Sequence, residues 1–200
     1  MKADRSSVDK APGVGRPRDP RIASAIMSAT AELLVEIGYS SLSVAAVAER
    51  AGTTKSALYR RWSSKAELVH EAAFPVAPTA LQAPAGDIAA AVRMMIEATR
   101  DVFTTPVVRA ALPGLVADMT ADADLNARVM SRFIGLFTAV RMRLQEAVDR
   151  GEAHPGVDPD RLIELIGGAT MLRMLLRPDE KLDDAWVDQT TSIVLHGVTG

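Results

Sequence analysis

One short stretch of the sequence has the residue types and spacing of a surface that binds nucleic acid. Leu58 can face inward in a predicted helix over residues 55–62, and the helical period then leaves four side chains outside: Lys55, Ser56, Tyr59 and Arg60. Small and cationic side chains fit the major groove of DNA and donate hydrogen bonds to phosphates and base edges. The pattern favours a DNA-binding helix, although short amphipathic helix pairs also occur in proteins that bind no nucleic acid.

Three capping signals position that helix. Ser43 can cap a helix that starts at Val44, where apolar residues recur every three or four positions, and Gly52 can end it in the left-handed conformation. Thr54 can cap the second helix, and Ser64 opens an S-x-x-E capping box for a third. The layout is a helix-turn-helix followed at once by a third helix.

Lys65 falls in the first turn of that third helix, where the helix dipole disfavours a cation. A DNA phosphate nearby would offset that cost, so we expect Lys65 to bind one. The charge distribution agrees with a single DNA-facing end. The net charge is −2, but residues 1–71 carry 11 lysines and arginines against 8 acidic residues, and the rest of the chain carries 12 against 17.

The composition narrows the class of protein. The chain has 200 residues, 48% of them apolar and only 4% aromatic, and its alanine, leucine, valine and methionine favour helices. The absence of cysteine excludes disulfides and thiolate metal sites, in keeping with a reducing cytoplasm. We find no apolar run of the length that a transmembrane helix needs, and the N-terminus is too polar for a signal peptide.

Residues 51–69, AGTTKSALYRRWSSKAELV, resemble the signature segment of TetR/AcrR-type transcriptional repressors, and residues 38–44, GYSSLSV, resemble that family's link into the helix-turn-helix. The specific resemblance covers roughly residues 22–73. It implies an all-α fold with an N-terminal three-helix helix-turn-helix DNA-binding domain and a C-terminal helical domain for ligand binding and dimerisation, with about nine helices in all. It also implies three partners: double-stranded operator DNA, a second copy of the chain and a small apolar effector.

The predicted organisation has four parts. Residues 1–18 form a disordered basic arm, residues 19–74 the DNA-binding domain, residues 75–86 a linker with three prolines and a glycine, and residues 87–200 the effector and dimerisation domain. In the last part we expect an interruption or kink at Pro113–Gly114 and one long helix from Asp122 or Asp124 to about Arg150.

The DNA-binding candidates divide by expected partner. We expect base edges or adjacent phosphates to be contacted by Thr53, Thr54, Lys55 and Ser56, and further phosphates by Tyr59, Arg60 and Lys65. Ser43 is expected to donate to the DNA backbone. Arg16 and Arg18 of the arm are expected to contact the minor groove or phosphates, and the alternative is that the arm is only a solvated tail. The family commonly has a smaller residue in place of Ser56 and often threonine or serine in place of Ala57, which leaves the identity of the base contacts open.

Two further sites are predicted after the linker. Adaptable apolar side chains with a few polar ones are candidates for an effector pocket, although such stripes are more often plain core: Met95, Thr99, Phe103, Met130, Phe133, Phe137, Arg141 and Met171. The last two helices have broad apolar faces and are candidates for a dimer interface, with an intrachain bundle as the alternative: Leu165, Gly168, Leu172, Trp186, Thr190, Ile193 and Val194.

Enzymatic functions are disfavoured. The three histidines, His70, His154 and His196, are far apart and lack a metal-ligand partner one helical turn away, and the chain has no glycine-rich phosphate loop. We expect no catalytic residue, metal or cofactor. The sequence therefore predicts a ligand-responsive repressor that binds a palindromic operator as a homodimer, and the alternative is a helical small-molecule carrier without specific DNA binding.

Overall fold

The computed structural model describes residues 20–75 and 87–198, and these residues form ten α-helices and no strand. The predicted arm with Arg16 and Arg18, and linker residues 76–86, lie outside the described residues. The first four helices are α1 (Pro20–Ser41), α2 (Val44–Arg50), α3 (Lys55–Tyr59) and α4 (Lys65–Ala73). The other six are α5 (Ile88–Phe103), α6 (Pro106–Ala121), α7 (Ala123–Ser131), α8 (Ile134–Asp149), α9 (Pro159–Leu176) and α10 (Asp184–Val198).

The predicted caps start the helices of the helix-turn-helix. Ser43 Oγ accepts from the Ala46 N–H at 3.1 Å, and Thr54 Oγ1 accepts from the Ala57 N–H at 3.3 Å. Gly52 has φ of 63°, and the N–H groups of Gly52 and Thr53 close a Schellman motif on the carbonyls at the end of α2. These local bonds fix the angle at which α3 leaves α2.

The long helix predicted from Asp122 to Arg150 is wrong, because the chain forms two helices there. Asp122 caps α7, with its carboxylate 2.9 Å from the Leu125 N–H. The N–H groups of Arg132 and Phe133 then bond three residues back, to Val129 at 3.1 Å and to Met130 at 3.0 Å, which tightens the turn between α7 and α8. This break raises the helix number from the expected nine or so to ten.

Pro113 does not interrupt α6, which runs continuously from Pro106 to Ala121. Gly114 has a packing role instead. A Cβ at Gly114 would lie 2.1 Å from Cδ1 of Tyr39, so only glycine lets α6 approach the end of α1 this closely.

The buried side chains form two clusters that do not separate at the predicted linker. The first joins α1–α4 to α6 and α7, with Leu58 and Leu68 of the DNA-binding end packed in the same cluster as Val108 and Leu115 of α6. The second joins α5, α8, α9 and α10 around Ile96, Leu144 and Ile166. A rigid contact between α6 and the DNA-binding end follows from this arrangement.

By length and composition alone, one helix of the described residues, Arg21–Ser41, would suffice to cross a membrane. Its inner face is buried in the first core cluster through Ile26, Leu33 and Leu34. Its outer face carries Glu32 and Glu36, which pair with Arg50 of α2. These contacts identify α1 as a core helix of the DNA-binding end.

Candidate DNA-binding surface and effector cavity

Helix α3 presents the predicted outer face to solvent. Leu58 is only 1% exposed and anchors the helix, whereas Tyr59 is 56% exposed. Lys55, Ser56, Thr54 and Arg60 are also exposed, and Thr53 is half-buried. The helix is shorter than the predicted residues 55–62, because the segment from Arg60 turns back so that Trp62 joins the core.

The cations around α3 lack protein partners within the described part of the chain. Lys55, Arg60 and Arg61 are exposed and have no carboxylate within ion-pair distance there. Arg50, one helix earlier, is held at 2.8 Å by Glu36, and this hydrogen bond raises the pKa of Arg50 and lowers that of Glu36. Arg61 is a further exposed cation that the predicted site does not include, although its position beside Arg60 and outside the apolar stripe indicates an outward side chain.

Lys65 is more enclosed than the other candidates. Its Nζ donates to the Tyr39 carbonyl at 3.1 Å and lies 4.1 Å from the centroid of the Tyr39 ring. These contacts offset the helix dipole that disfavours a cation in the first turn of α4. An ammonium has three N–H donors, and the Tyr39 carbonyl uses one of them. The contact of Lys65 with a DNA phosphate stays a prediction, and it would use the other two donors.

Tyr39 connects the DNA-binding end to α6. Its hydroxyl donates to Asp118 of α6, and its ring lies against Gly114. Burial, together with the Asp118 carboxylate, raises the pKa of Tyr39, which keeps the hydroxyl protonated and able to donate.

A cavity of about 900 Å³ lies behind α4, between α5–α9. Seven of the eight predicted pocket residues line it: Met95, Thr99, Phe103, Met130, Phe133, Phe137 and Met171. The expectation for Arg141 is corrected, because its guanidinium lies away from the cavity and bonds Asp160 at 2.7 and 2.8 Å. The lining also includes residues outside that prediction, among them His70, Phe74, Leu112, Leu115 and Ile163.

Comparisons with known proteins agree with this geometry. Residues 26–72 match the family model described as bacterial regulatory proteins of the tetR family, and residues 82–194 match the tetracyclin repressor-like C-terminal domain. The chain belongs to the TetR family of transcriptional regulators. It is therefore a DNA-binding helix-turn-helix regulator of a non-enzymatic family.

Relatives extend over most of the chain. It is 30% identical over 192 residues to an uncharacterised HTH-type transcriptional regulator of Mycobacterium tuberculosis, covering 92% of this chain and 93% of that one. It is 29% identical over 180 residues to the DNA-binding transcriptional repressor TetR of Mycobacteroides abscessus, covering 86% and 90%. The fold resembles a TetR-family regulator from Mesorhizobium loti with a TM-score of 0.65 at 15% identity, covering 91% and 96%.

In this TetR-family chain, α4 separates the cavity from the helix-turn-helix and is tied to α7. Glu67 pairs with Arg128, and Glu71 lies 2.8 Å from Arg132 while also accepting from Trp62 Nε1 at 2.9 Å. Burial alone would raise the pKa of Glu67. The hydrogen bonds from the Ser63 N–H and from Arg128 outweigh burial, so the pKa of Glu67 is lowered. Glu67 therefore stays ionised in its pair with Arg128 of α7, and the Glu71–Arg132 pair adds a second link from α4 to the residue that follows α7.

The predicted dimer residues fall into three groups. Leu165 and Ile193 are 64% and 74% exposed, and Leu172 is also exposed. Gly168, Trp186 and Thr190 are half-buried. Val194 is buried in the second core cluster, so its side chain packs within its own chain.

Proposed function

We propose that this TetR-family regulator is a ligand-responsive repressor that binds a palindromic operator as a homodimer and releases it when a small apolar molecule fills the cavity. The observation that carries the proposal is the exposed cationic face of α3, unpaired within the described residues, on a capped helix-turn-helix with a cavity directly behind α4. The Mycobacteroides abscessus relative is named a repressor, which supports the direction of regulation. The proposed compartment is the cytoplasm, where the operator is.

In the proposed complex, α3 enters the major groove. Its first residues, Lys55 and Ser56, face base edges, with Thr53 and Thr54 beside them, because side chains near the start of a recognition helix lie deepest in the groove. The phosphates are contacted by Tyr59, Arg60, Lys65 and the newly recognised Arg61. Ser43 donates to the DNA backbone, and Arg16 and Arg18 of the arm supply minor-groove or phosphate contacts.

The second subunit is proposed to cover the outer faces of α9 and α10. Leu165, Leu172 and Ile193 expose large apolar side chains, and both helices pack on α5, so their outer faces belong to one rigid unit. Gly168, Trp186 and Thr190 extend the same surface. A twofold dimer would place two α3 helices about one DNA turn apart or a little more, so that both bind one near-palindromic site.

Effector binding is proposed to act through α4. The cavity wall contains His70 of α4 and Phe74, the residue after α4, on one side and Phe133 of the α7–α8 turn on the other. A molecule that alters the packing of α4 on α7 would change the position of α3, which ends six residues before α4 begins. The effector shifts this equilibrium only by its difference in affinity for the two arrangements.

Fluorescence anisotropy of labelled duplexes from the DNA upstream of the gene tests the regulator directly. We expect one fragment to bind in the presence of excess unrelated duplex, with an affinity that falls steeply as salt rises, because phosphate contacts release counterions. Equal affinity for all duplexes, or none for any, would contradict the proposal and favour the carrier.

Sedimentation of the full chain tests the dimer. Leu172→Glu with Ile193→Glu should convert a dimer into a monomer, because two carboxylates would be buried without partners. Val35→Glu is the matched control, since Val35 is a similarly exposed apolar residue on α1, at 54%, and lies outside the proposed interface. A wild-type monomer, or a dimer that survives the double substitution, would contradict the interface.

A further inference from the structure

His70 is a buried polar residue in the cavity wall, and neither of its ring nitrogens makes a hydrogen bond within the described residues. It is 3% exposed and lines the cavity, yet among the described residues neither Nδ1 nor Nε2 has a hydrogen-bond partner. Buried polar atoms are nearly always hydrogen-bonded, because an unmade hydrogen bond costs the desolvation of that atom. The imidazole therefore has hydrogen-bonding capacity that the folded chain itself does not satisfy.

The ring is held in place by aromatic contacts. It stacks on Phe74 with centroids 5.1 Å apart, and the edge contact with Phe133 has centroids 5.3 Å apart. These two neighbours are themselves 6.0 Å apart and also line the cavity. The imidazole is thus preorganised by its own helix and by the α7–α8 turn.

The charge state of His70 is neutral at ordinary pH. Burial, with a smaller contribution from the positive charge of Arg132, lowers its pKa to about 4, although Glu71 acts in the opposite direction. A neutral imidazole has one N–H donor and one acceptor nitrogen, so it can bind either a hydroxyl or a carbonyl group.

The rest of the lining offers little else to a polar or charged molecule. Among the described residues that line the cavity, the charged ones are Glu71 and Arg132, and they form an ion pair at 2.8 Å. The Thr99 hydroxyl donates to the Met95 carbonyl at 2.7 Å, and the Thr105 hydroxyl donates to the Val102 carbonyl at 2.9 Å. The remaining surface is mostly aliphatic and aromatic.

We propose that His70 is the polar anchor of the effector site and selects a neutral, mainly aromatic or polycyclic molecule that carries a hydroxyl or carbonyl group. The flat faces of Phe74, Phe103 and Phe133 bind the ring system, and the His70 ring nitrogens bind the polar group. The paired charges of Glu71 and Arg132 give no site for an ionic ligand, because an unpaired buried charge is costly. This assignment rests on the proposed function only in taking the occupant of the cavity to be the effector.

Pyrene and 1-hydroxypyrene form a matched pair of fluorescent probes, equal in shape and different by one hydroxyl. At pH 7, the wild-type chain should bind 1-hydroxypyrene about fivefold more tightly than pyrene, the difference expected for one hydrogen bond. His70→Phe keeps an aromatic ring and removes both nitrogens, so it should abolish this preference while changing the affinity for pyrene by less than about twofold. Failure of the wild type to bind either probe, or a preference that survives His70→Phe, would overturn the proposal.

Met95→Leu is the matched control, because Met95 lines the same cavity and the exchange conserves apolar volume. The preference for 1-hydroxypyrene should persist in it, and loss of the preference there would contradict a specific role for His70.

A second measurement needs no substitution and covers a variant that fails to fold. In ¹⁵N-histidine-labelled wild type, the His70 resonances are recognised because its imidazole stays neutral until the pH falls to about 4. They should shift on addition of 1-hydroxypyrene and much less with pyrene, whereas His154 and His196 are exposed and should not respond. Equal shifts with both probes would overturn the assignment.

DNA binding of the same preparations separates the two proposals. A hydroxypyrene preference that depends on His70, in a protein without sequence-specific DNA binding, supports the anchor and contradicts the repressor. Specific DNA binding without the preference contradicts the anchor alone.

Discussion

The cations around α3 and the arginines after residue 87 differ in whether a carboxylate lies within ion-pair distance. Around α3, Lys55, Arg60 and Arg61 are exposed and have no carboxylate partner among the described residues. After residue 87, ten of the eleven arginines lie within 4.0 Å of a carboxylate, and the remaining one, Arg109, donates to the Pro178 carbonyl. Arginine is thus mostly ion-paired after residue 87, whereas among the described residues around α3 only Arg50 is paired, with Glu36, and Arg60 and Arg61 remain available to a polyanion.

The difference teaches how a chain of net charge −2 can bind DNA. Net charge is a property of the whole surface, whereas phosphate binding depends on the cations that are not already neutralised nearby. Because carboxylates pair with ten of the arginines after residue 87, the exposed cations Lys55, Arg60 and Arg61 form a group around α3. Substituting the cations of each end tests that contrast most strongly, and smaller effects are expected at the contacts between the two ends and at single residues.

Removing the three unpaired cations should have the largest effect. The triple variant Lys55→Ala, Arg60→Ala and Arg61→Ala should weaken DNA binding by at least roughly a hundredfold. It should also flatten the dependence of affinity on salt, because binding through fewer phosphate contacts releases fewer counterions. Anisotropy titrations over a range of salt concentrations measure both quantities.

The control removes three paired arginines instead. Arg93→Ala, Arg141→Ala and Arg161→Ala change the net charge by the same amount but lie on the far helices and are ion-paired. DNA affinity should stay within about threefold of wild type, since neighbouring carboxylates already neutralise these charges. Equal losses in the two triple variants would contradict the contrast.

The contact of α6 with the DNA-binding end should be intolerant of one methyl group. Gly114→Ala places a Cβ against the Tyr39 ring and should lower the free energy of unfolding by about 2–3 kcal/mol. Gly135→Ala is the control, because its Cβ would meet nothing within 4 Å and alanine favours the helix. Urea denaturation at one protein concentration compares them, and equal stabilities would show that the close approach has no energetic weight.

Acid should destabilise the chain partly through His70. Its pKa is about 4 in the folded chain against 6.5 for an ordinary histidine, so the unfolded chain binds the extra proton first as pH falls. Stability from this group is complete above about pH 6.5 and is lost as pH falls towards 4, by about 2 kcal/mol between pH 7 and 5. His70→Phe should remove that part of the decline in urea denaturation, and an unchanged decline would place the protonation elsewhere.

Lys65 should have the smallest effect of the four. Lys65→Ala should weaken binding to all duplexes alike by about tenfold, because a phosphate contact carries no sequence information. Ser56→Ala is the comparison, since a base-edge contact should instead change the relative affinities for operator variants. An unchanged affinity for Lys65→Ala would show that its contact with Tyr39 is its whole role.

The start of each helix in the DNA-binding end could be predicted from sequence, because a cap acts on backbone groups within a few residues. Ser43, Thr54 and Ser64 each accept a hydrogen bond from an N–H three residues later, as their positions in the sequence indicate. The outward face of α3 followed from the same local period. Seven of the 26 residues that line the cavity could also be predicted, since most of the seven lie on the inner faces of helices.

What could not be predicted depends on contacts between distant segments. The tight turn before Phe133 brings its ring to His70, more than sixty residues earlier in the sequence, and no local signal distinguishes it from a continuous helix. The sequence singles out His70 only as a potential metal ligand, because the predicted domain boundary places α4 wholly in the DNA-binding domain. The prediction of Arg141 in the cavity fails because its partner, Asp160, lies on another helix and leaves no local signal in the sequence.

Position-specific DNA cleavage tests the central claim most directly, and the absence of cysteine makes it practical. A single Ser56→Cys variant, coupled to an iron chelate, should cut the selected fragment at two sites symmetric about its centre and about one helical turn apart. Gln145→Cys, at an exposed position of α8 outside the proposed dimer interface, should not cut it. Cleavage from position 145 and none from 56, or cuts without a centre of symmetry, would contradict an account in which two copies of α3 bind one face of a palindromic operator.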